Sequence, residues 1–374
     1  DLALGRGGDQ VVLRELGQVA RFYGGKSNPM EKRTRVRARM VSQALGELFK
    51  DVDQVFVQGH QRPDMDSVGS GIGVVKIARL HGVKAHFLLD TAHCNYDVDR
   101  LVKKMQAAEP QLDLFVSPDE ANAVATDNSL LVMVDHSKYS ITYDQRLYDR
   151  LRNRIVVIDH HRRGEEFPEN PMLTYVEPYA SSASELVTEM VEYQQPAEDN
   201  RVLTNLEATA MLAGITVDTK EFSLRTGTRT FDAASYLRSI GADSSVVSEL
   251  LKEDISSFLV KSHLVASLQM LRPKMAVMQG PEDKVIDPIL TAQAADMALD
   301  LEGVSASFAI TRRSGDKVGI SARSMGNINV QVIMEKLGGG GHLSNAATQI
   351  KDITVKEASQ RLLAAIDEYL EENS

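Results

Sequence analysis

The amino-acid sequence predicts an α/β protein whose larger lobe is a parallel β-sheet with helices on both faces. Short apolar runs rich in β-branched residues alternate with stretches in which apolar residues recur at helical spacing. Parallel strands need a crossover connection, usually a helix, so this alternation is typical of a parallel sheet. The predicted strands are residues 55–57, 85–89, 130–134 and 155–158.

Helical spacing is clearest after the first strand, where Ile72, Val75, Ile77 and Leu80 are the apolar positions. Residues 214–217 form a further apolar run with β-branched side chains, which predicts another strand. The first lobe is therefore expected to extend to about residue 217.

A helical linker, residues 228–271, is predicted to lead into a second, smaller α/β lobe. Arg272 and Pro273 mark its start, because proline interrupts regular structure. The elements predicted for this lobe are strands at 276–278, 305–310 and 317–321, a helix at 330–337, a glycine run ending at His342, and a helix at 355–370.

Composition and charge exclude several classes of protein. The 374 residues suffice for two or three domains, and a net charge of -10 argues against a nucleic-acid coat, so we expect no stable nucleic-acid complex. The single cysteine, Cys94, permits no internal disulfide and fits a reducing compartment. The sequence shows no signal peptide or bilayer-spanning apolar stretch, and a start at Asp1 rather than Met indicates a piece of a longer protein.

Aspartate and histidine residues lie where the predicted strands end, which is where parallel sheets bind ligands. Carboxylate and imidazole ligands suit Mn, Mg, Fe or Zn, and the absence of thiolates argues against a structural zinc site. One ion would take ligands from the turn after the first strand, and a second ion would share Asp135 with it. The candidate ligands are His60, Asp64, Asp66, Asp135, His160 and Asp218.

Each of these residues alone has a simpler explanation. Asp64 and Asp66 precede a predicted helix and would serve as N-caps. Asp135 alone is an ordinary loop residue, and His160 alone belongs to a solvated basic turn. Their joint occurrence at strand ends favours a metal site, and two metals about 3.5–4 Å apart would promote displacement at phosphorus.

The glycine run from Gly338 to His342 is a second candidate site. Glycines allow the backbone N–H groups to approach an anion closely, and His342 can donate to a phosphoryl oxygen. Residues 343–349 are predicted to begin a helix whose amino end would favour phosphate. Arg323, which follows the strand around Ile320, is a candidate substrate contact. The alternative for the glycine run is a flexible helix C-cap and turn.

These motifs resemble the DHH/DHHA1 phosphoesterase superfamily. Asp159, His160 and His161 match the motif that names it, and residues 338–342 match the glycine-rich motif of its C-terminal domain. Residues 59–66, 184–189 and 329–337 are similar to the GdpP (YybT-type) branch, the cyclic-di-AMP phosphodiesterases. Residues 345–348 read Asn-Ala-Ala-Thr, where many stand-alone relatives have two alanines and a glycine, and this also resembles the GdpP branch.

The resemblance implies an activity and roles for individual residues. The reaction is hydrolysis of cyclic-di-AMP to 5'-pApA by a hydroxide activated by two Mn²⁺ ions, in a homodimer. One ion would bind His60, Asp64 and Asp135, and the other Asp66, Asp135, His160 and Asp218. Asp135 and His161 would be catalytic, with Asp159 orienting a ligand imidazole, and the second lobe would bind substrate through Arg323, Gly340, Gly341 and His342.

The resemblance also implies a domain organisation. Residues 3–10 look like the tail of a degenerate GGDEF domain, so the intact protein is expected to carry transmembrane helices and a PAS-like sensor upstream. This chain would be its cytoplasmic part in a bacterial cell membrane protein. The implied divisions are residues 1–35 (GGDEF tail and linker), 36–227 (DHH catalytic domain), 228–271 (helical linker) and 272–374 (DHHA1 domain).

Other functions remain open at this stage. A nano-RNase that trims short oligonucleotides would use the same metals, and a non-catalytic cyclic-dinucleotide sensor would bind ligand without turnover. An inorganic pyrophosphatase is less favoured, because the glycine-rich loop ending at His342 suits a nucleotide-binding lobe. The sequence does not distinguish cyclic-di-AMP from cyclic-di-GMP, and carboxylate–imidazole sites accept several divalent ions.

Overall fold

The computed structural model describes residues 10–13, 21–24, 35–110, 113–194 and 202–372. The chain divides into two compact units, Asp1–Lys252 and Glu253–Ser374. The first described elements are two antiparallel strands, β1 (Gln10–Leu13) and β2 (Arg21–Gly24). The predicted GGDEF-like tail at residues 3–10 lies almost entirely outside the described residues.

The first unit contains a six-stranded sheet in which all strands run parallel. The strands are β3 (Gln54–Gln58), β4 (Lys84–Leu88), β5 (Phe115–Val116), β6 (Leu130–Val134), β7 (Ile155–Asp159) and β8 (Leu173–Val176). They lie side by side in the order β5-β4-β3-β6-β7-β8. The four strands predicted from sequence are confirmed, whereas β5 and β8 are short or only partly buried and lack a distinctive apolar run.

Apolar side chains cover both faces of this sheet. Val55 and Val57 of β3 pack in one apolar cluster, while Phe56 between them packs in another. Because successive side chains of a strand point to opposite faces, the two clusters lie on either side of the sheet. Burial on both faces is what a parallel sheet requires, and the predicted architecture is confirmed.

Helices connect the strands and form the two outer layers. They are α1 (Arg35–Lys50), α2 (Met65–Leu80), α3 (Tyr96–Ala108), α4 (Pro118–Val124), α5 (Gln145–Arg150), α6 (Ala183–Glu192), α7 (Asn205–Asp218), α8 (Thr228–Ser239) and α9 (Ser244–Leu250). Side-chain caps fix several of their starts. Ser117 and Glu120 form a capping box on α4, and Thr204 and Glu207 form another on α7.

The prediction that Asp218 ends a strand is wrong, because Asp218 is the last residue of helix α7. Every residue from Glu207 to Ile215 is buried, so the helix has no polar stripe to reveal its periodicity. Its end also contains β-branched residues, which made residues 214–217 resemble a buried strand. Burial on all sides therefore concealed the helix in the sequence.

The second unit is a smaller α/β structure. Its elements are α10 (Ile255–Ala266), β9 (Gln269–Arg272), β10 (Met275–Gln279), α11 (Pro288–Leu299), β11 (Ala306–Arg313), β12 (Lys317–Ser324), α12 (Val330–Glu335), β13 (Gly340–Gly341), β14 (Asn345–Lys351) and α13 (Val355–Glu372). The strands form a mixed sheet in the order β13-β14-β12-β11-β10-β9, in which β10 and β11 are parallel and the other pairs antiparallel.

Both faces of the second sheet are also buried. Val277 and Phe308 belong to the cluster that includes side chains of α12 and α13, while Met278 and Ala309 belong to a cluster with side chains of α11. The predicted strands and helices of this lobe are confirmed, apart from the helix expected to begin within residues 343–349. That segment contains strand β14, in which buried Ala346 and Thr348 alternate with exposed neighbours.

The predicted helical linker, residues 228–271, contains α8 and α9, which add Ala233, Leu237, Val247 and Leu250 to the core of the first unit. It also contains α10, which belongs to the second unit. The domain divisions at residues 36, 228 and 272 stay predictions. Within the described parts of the chain, no helix is both long and apolar enough to cross a membrane.

Candidate metal centre

The three adjacent strands β3, β6 and β7 bring distant parts of the sequence together at one edge of the first sheet. His60 follows β3, Asp135 follows β6, and His160 follows β7. Because these strands are neighbours and parallel, the residues after their carboxyl ends meet. This is the edge at which the sequence predicted a metal site.

Asp135 lies at the centre of this arrangement. One carboxylate oxygen lies 3.3 Å from Nε2 of His160, and the other lies 3.4 Å from Nε2 of His60. The side chain is buried, and the backbone adopts a positive φ of 61°, an uncommon conformation that aspartate tolerates better than most residues. Each oxygen of one carboxylate therefore faces a different imidazole.

His60, Asp64 and Asp135 form the first group of possible ligands, with ligand atoms that all lie within 4.8 Å of one another. Asp64 combines two contacts. One oxygen caps α2 by accepting from the N–H groups of Asp66 and Ser67, at 3.0 Å each, and the other lies 4.0 Å from Nε2 of His60. The Asp64 carboxylate is thus both the N-cap of α2 and a candidate metal ligand.

Asp66, His160 and Asp218 form the second group. Nε2 of His160 lies 3.1 Å from a carboxylate oxygen of Asp218 and 3.9 Å from one of Asp66. The Asp66 carboxylate is held from behind by helix α6, because it accepts from the N–H groups of Ala183 at 2.7 Å and Ser184 at 2.8 Å. The positive amino end of a helix thus fixes a buried carboxylate.

His161 and Asp159 form a pair at the border of the centre, where His161 also belongs to a third group of possible ligands with Asp135 and His160. Nδ1 of His161 lies 2.9 Å from a carboxylate oxygen of buried Asp159 and 3.8 Å from Asp135, while about half of the His161 side chain is exposed. The imidazole that Asp159 orients is therefore that of His161. With Nδ1–H donating to Asp159, Nε2 of His161 remains available for a ligand.

The centre concentrates buried negative charge. Burial, together with the charges of Asp135 and Asp218, raises the pKa of Asp64 to about 7. Burial and then the charge of Asp135 also raise the pKa of Asp66. Burial alone would raise the pKa of Asp135 as well, but the imidazoles of His160 and His60, 3.3 and 3.4 Å away, hold that pKa well below its usual range. A cation would relieve the repulsion among these carboxylates.

One buried atom tests whether the residues fit a metal ion. Nε2 of His160 is buried and makes no hydrogen bond within the described residues, although carboxylate oxygens of Asp66, Asp135 and Asp218 surround it. A buried nitrogen without a partner is costly unless it binds something. An imidazole nitrogen converging with carboxylates is a common ligand set for divalent transition metals, so the residues fit.

Sequence reasoning missed two supports of this centre. His136 is buried, and its Nδ1 donates to the carbonyl of Val134 at 2.9 Å while its Nε2 lies 2.9 Å from the Thr142 hydroxyl. The backbone of Thr142 in turn forms an isolated antiparallel β-bridge with that of His60. The other missed support is the amino end of α6, which the Ser-x-x-Glu pattern at Ser182 could have revealed as a helix start.

The predicted substrate residues lie together at one end of the second sheet. Arg323 is paired in register with Asn345, and Gly341 is paired with the next residue of β14. The Nε of Arg323 lies 3.3 Å from the carboxylate of Asp296. His342 is exposed, and its N–H donates to the Asn345 carbonyl at 2.7 Å.

The glycine run is partly a strand rather than a free loop, because Gly340 and Gly341 form β13 against β14. Gly338 has a φ of 75°, the left-handed conformation typical of a residue that ends a helix. A Cβ at Gly338 or Gly340 would have open space around it, whereas a Cβ at Gly339 or Gly341 would meet atoms of β14. Gly338 and Gly340 are thus the glycines of this run whose backbone a ligand can approach.

Two family models match the chain. Residues 54–215 match the N-terminal domain of the DHH family, and residues 272–372 match the DHHA1 domain. The sequence is 54% identical, over 99% of its length, to the cyclic-di-AMP phosphodiesterase PdeA of Listeria monocytogenes, and 50% identical, also over 99%, to the cyclic-di-AMP phosphodiesterase GdpP of Bacillus subtilis. The chain spans 56% of the length of each of these relatives.

The fold also matches a solved structure. An exopolyphosphatase-related protein from Bacteroides fragilis superposes with a TM-score of 0.67 over 88% of this chain and 96% of that one, at 17% sequence identity. At this level of identity the likeness shows the fold alone. The two domain matches, in contrast, show that the chain belongs to the DHH family, in which it joins the N-terminal DHH domain to a DHHA1 domain.

Proposed function

We propose that this chain hydrolyses cyclic-di-AMP to linear 5'-pApA in a reaction that depends on divalent metal ions. The observation that carries the proposal is the position of Asp135, whose two oxygens face His60 and His160 in two neighbouring groups of possible ligands. The similarity to two cyclic-di-AMP phosphodiesterases over nearly the whole chain supports the choice of substrate.

The two ligand groups would each hold one ion. His60, Asp64 and Asp135 would hold the first, and Asp66, His160 and Asp218, with Asp135, the second. We propose Mn²⁺, on the resemblance to the GdpP branch, in a ligand set that other divalent ions also suit. When bound, such ions would lower the pKa of a coordinated water and neutralise charge on the phosphoryl oxygens.

The residues of the chain itself supply orientation and a proton. Asp159 holds Nδ1 of His161. Nε2, on the other side of the half-exposed ring, therefore faces away from Asp159. In the doubly protonated ring, whose charge the Asp159 carboxylate balances, we assign to Nε2–H a hydrogen bond to the scissile phosphate and transfer of its proton to the departing 3'-oxygen, which leaves His161 neutral. The oxygen of water bonds to phosphorus, the bond from phosphorus to the 3'-oxygen breaks, and the product carries a 5'-phosphate and a free 3'-hydroxyl.

The second unit would contribute substrate binding. Arg323, Gly340, Gly341 and His342 lie at one end of its sheet, and a guanidinium and an open glycine backbone are groups that suit a phosphate. Other parts of the proposal rest on the resemblance to the GdpP branch. They are a cytoplasmic placement, a membrane anchor and PAS-like sensor in the intact protein, and a homodimer.

The test is incubation of the purified chain with cyclic-di-AMP and Mn²⁺, with products identified by mass and EDTA as control. Metal-dependent formation of pApA is expected, and cyclic-di-GMP run in parallel measures base preference. Cleavage of linear pApA without opening of the cyclic dinucleotide would instead favour a nano-RNase, and binding without turnover a sensor.

Asp135→Asn tests the role of the Asp135 carboxylate, because asparagine also tolerates the positive φ at this position. We expect turnover to fall more than about a hundredfold and both metal equivalents to weaken, since even residues that only support metal ligands contribute that much. Asp127→Asn, at an exposed loop position, is the control. Full activity of Asp135→Asn would contradict the two-metal arrangement.

A further inference from the structure

A second candidate binding site lies in the second unit, at the opposite end of its sheet from the glycine run. A cavity of about 440 Å³ opens at the amino end of α11. Asp287 and Pro288 line it on the helix side, and Arg313, Ser314, Lys317 and Gln349 line it on the sheet side. Its volume falls in the range of small-molecule sites.

Strand register explains why these side chains meet. Arg313 of β11 is opposite Lys317 of β12, and Gln349 of β14 is opposite Gly319 of β12. Directly opposite residues share a face, and residues two apart along a strand do too. The shared face is the one covered by α11, because the hydroxyl of Thr311 on β11 lies 2.9 Å from that of Thr291 on α11.

Arg313 is held rigidly at the back of the cavity. The side chain is 7% exposed, and Nη1 donates to the Ile286 carbonyl at 2.6 Å and to the Thr291 hydroxyl at 2.9 Å. Its Nε is buried without a hydrogen-bond partner in the described part of the chain. A buried arginine with unused donors beside a cavity is a strong candidate to bind an anion.

Gly319 makes this arrangement possible. A Cβ at this position would overlap Nε of Arg313 and lie 3.0 Å from its Nη2. The glycine has no positive φ, so its backbone conformation does not require glycine. A side chain at this position would therefore have to displace the Arg313 guanidinium.

The cavity brings together two cationic side chains, Arg313 and Lys317, and one carboxylate, that of Asp287. Arg313, Lys317 and Lys351 are in register across three strands, and like charges in such a row destabilise a sheet. No ion pair in the described ranges involves any of the three. The carboxylate of Asp287 is engaged as the N-cap of α11, where it accepts from the Ile289 N–H at 2.7 Å.

We propose that this cavity binds a phosphate-bearing small molecule of up to mononucleotide size. Arg313 and Lys317 would hold the phosphate near the amino end of α11, which favours anions. The cationic residues of the cavity are separate from Arg323, because Lys317 and Arg323 are six positions apart on β12, roughly 20 Å along a strand. Gln349 lies nearer to the glycine run, two positions from Ala347, the partner of Gly340. Binding there requires no divalent metal.

The experiment measures binding of inorganic phosphate and of 5'-AMP to the full chain in EDTA, by calorimetry and by amide chemical shifts. We expect saturable binding with shifts at Ser314 and Gly319. Lys317→Met is expected to bind about tenfold more weakly, the loss of one charge-assisted hydrogen bond. Lys356→Met, at an exposed position on α13, is the matched control and should bind normally.

The two probes separate the possible ligands. Binding of both indicates a site for the phosphate group, and tighter binding of 5'-AMP indicates that the nucleoside also occupies the cavity. Absence of saturable binding by either probe would overturn the proposal. So would equal affinity in the wild type, Lys317→Met and Lys356→Met, or shifts confined to residues 338–342.

Discussion

Gly214 of α7 lies directly against the backbone of Asp66 in α2. A Cβ at position 214 would lie 2.8 Å from the Asp66 Cα and 2.9 Å from the Met65 carbonyl oxygen. Helix α7 ends at Asp218, so this contact sets the spacing between two candidate ligands that both approach His160.

Gly214→Ala is therefore expected to impair metal binding as well as stability. The added methyl group forces α2 and α7 apart, which we expect to cost about 1–3 kcal/mol of folding free energy and to weaken metal binding. Thermal denaturation and calorimetry with Mn²⁺ measure the two effects. Gly164→Ala is the control, because its Cβ would meet only the flexible end of Lys138. Unchanged metal affinity in Gly214→Ala would contradict this role of the helix contact.

His161→Gln separates proton transfer from metal binding. His161 is half exposed and is paired with Asp159, so we expect kcat to fall by about 10²–10⁴ while the metal content stays unchanged. Metal analysis after gel filtration and steady-state kinetics give the two readouts. Loss of one metal equivalent would show instead that His161 is a ligand.

Arg229 stabilises the helix that holds Asp66. Its guanidinium donates to both oxygens of Glu189, at 2.8 and 2.7 Å, and lies 3.8 Å from buried Glu185, both on α6. Arg229→Met leaves buried carboxylates without their cation, so we expect a loss of about 3–5 kcal/mol of folding free energy. Urea denaturation measures it. Arg238→Met, on the same helix α8 and away from α6's carboxylates, is the control, and an equal loss in both variants would contradict the assignment.

His86 makes folding stability depend on pH. Burial lowers the pKa of His86 below its ordinary value, more than its contact with Asp113 raises it. At pH values below about 6.5 the unfolded chain therefore binds this proton more readily than the folded chain. Stability should fall as the pH drops through this range, and should fall less in His86→Gln.

Denaturation midpoints at pH 7.5 and 5.5, measured in EDTA, test this prediction. EDTA removes the contribution of bound metal, and the difference between wild type and His86→Gln isolates His86. His263→Gln, at an exposed position of α10, is the control variant, and it should retain the loss of stability at low pH because His86 is intact. A His86→Gln variant with the same pH dependence as the wild type would show that His86 does not contribute.

Local sequence patterns determined most of the first unit. The strands β3, β4, β6 and β7 are mostly apolar, and all but β4 contain β-branched residues, because nearly all of their side chains are buried. Asp135 and His160 follow such strands directly, so their approach could be predicted from the parallel topology. Hydrophobic periodicity failed to predict two elements. Helix α7, which ends at Asp218, is buried on all sides, and strand β14 shows only a short alternation of buried and exposed residues.

The sequence by itself determined the fold class and which polar residues follow the strands, because these depend on spacing along the chain. Only the tertiary structure decided which atoms meet. It placed the two Asp135 oxygens towards different imidazoles, brought Ala183 and Ser184 behind Asp66, and set Arg313 over Gly319. Such contacts join residues far apart in sequence, and they depend on strand order and helix packing, which no local pattern encodes.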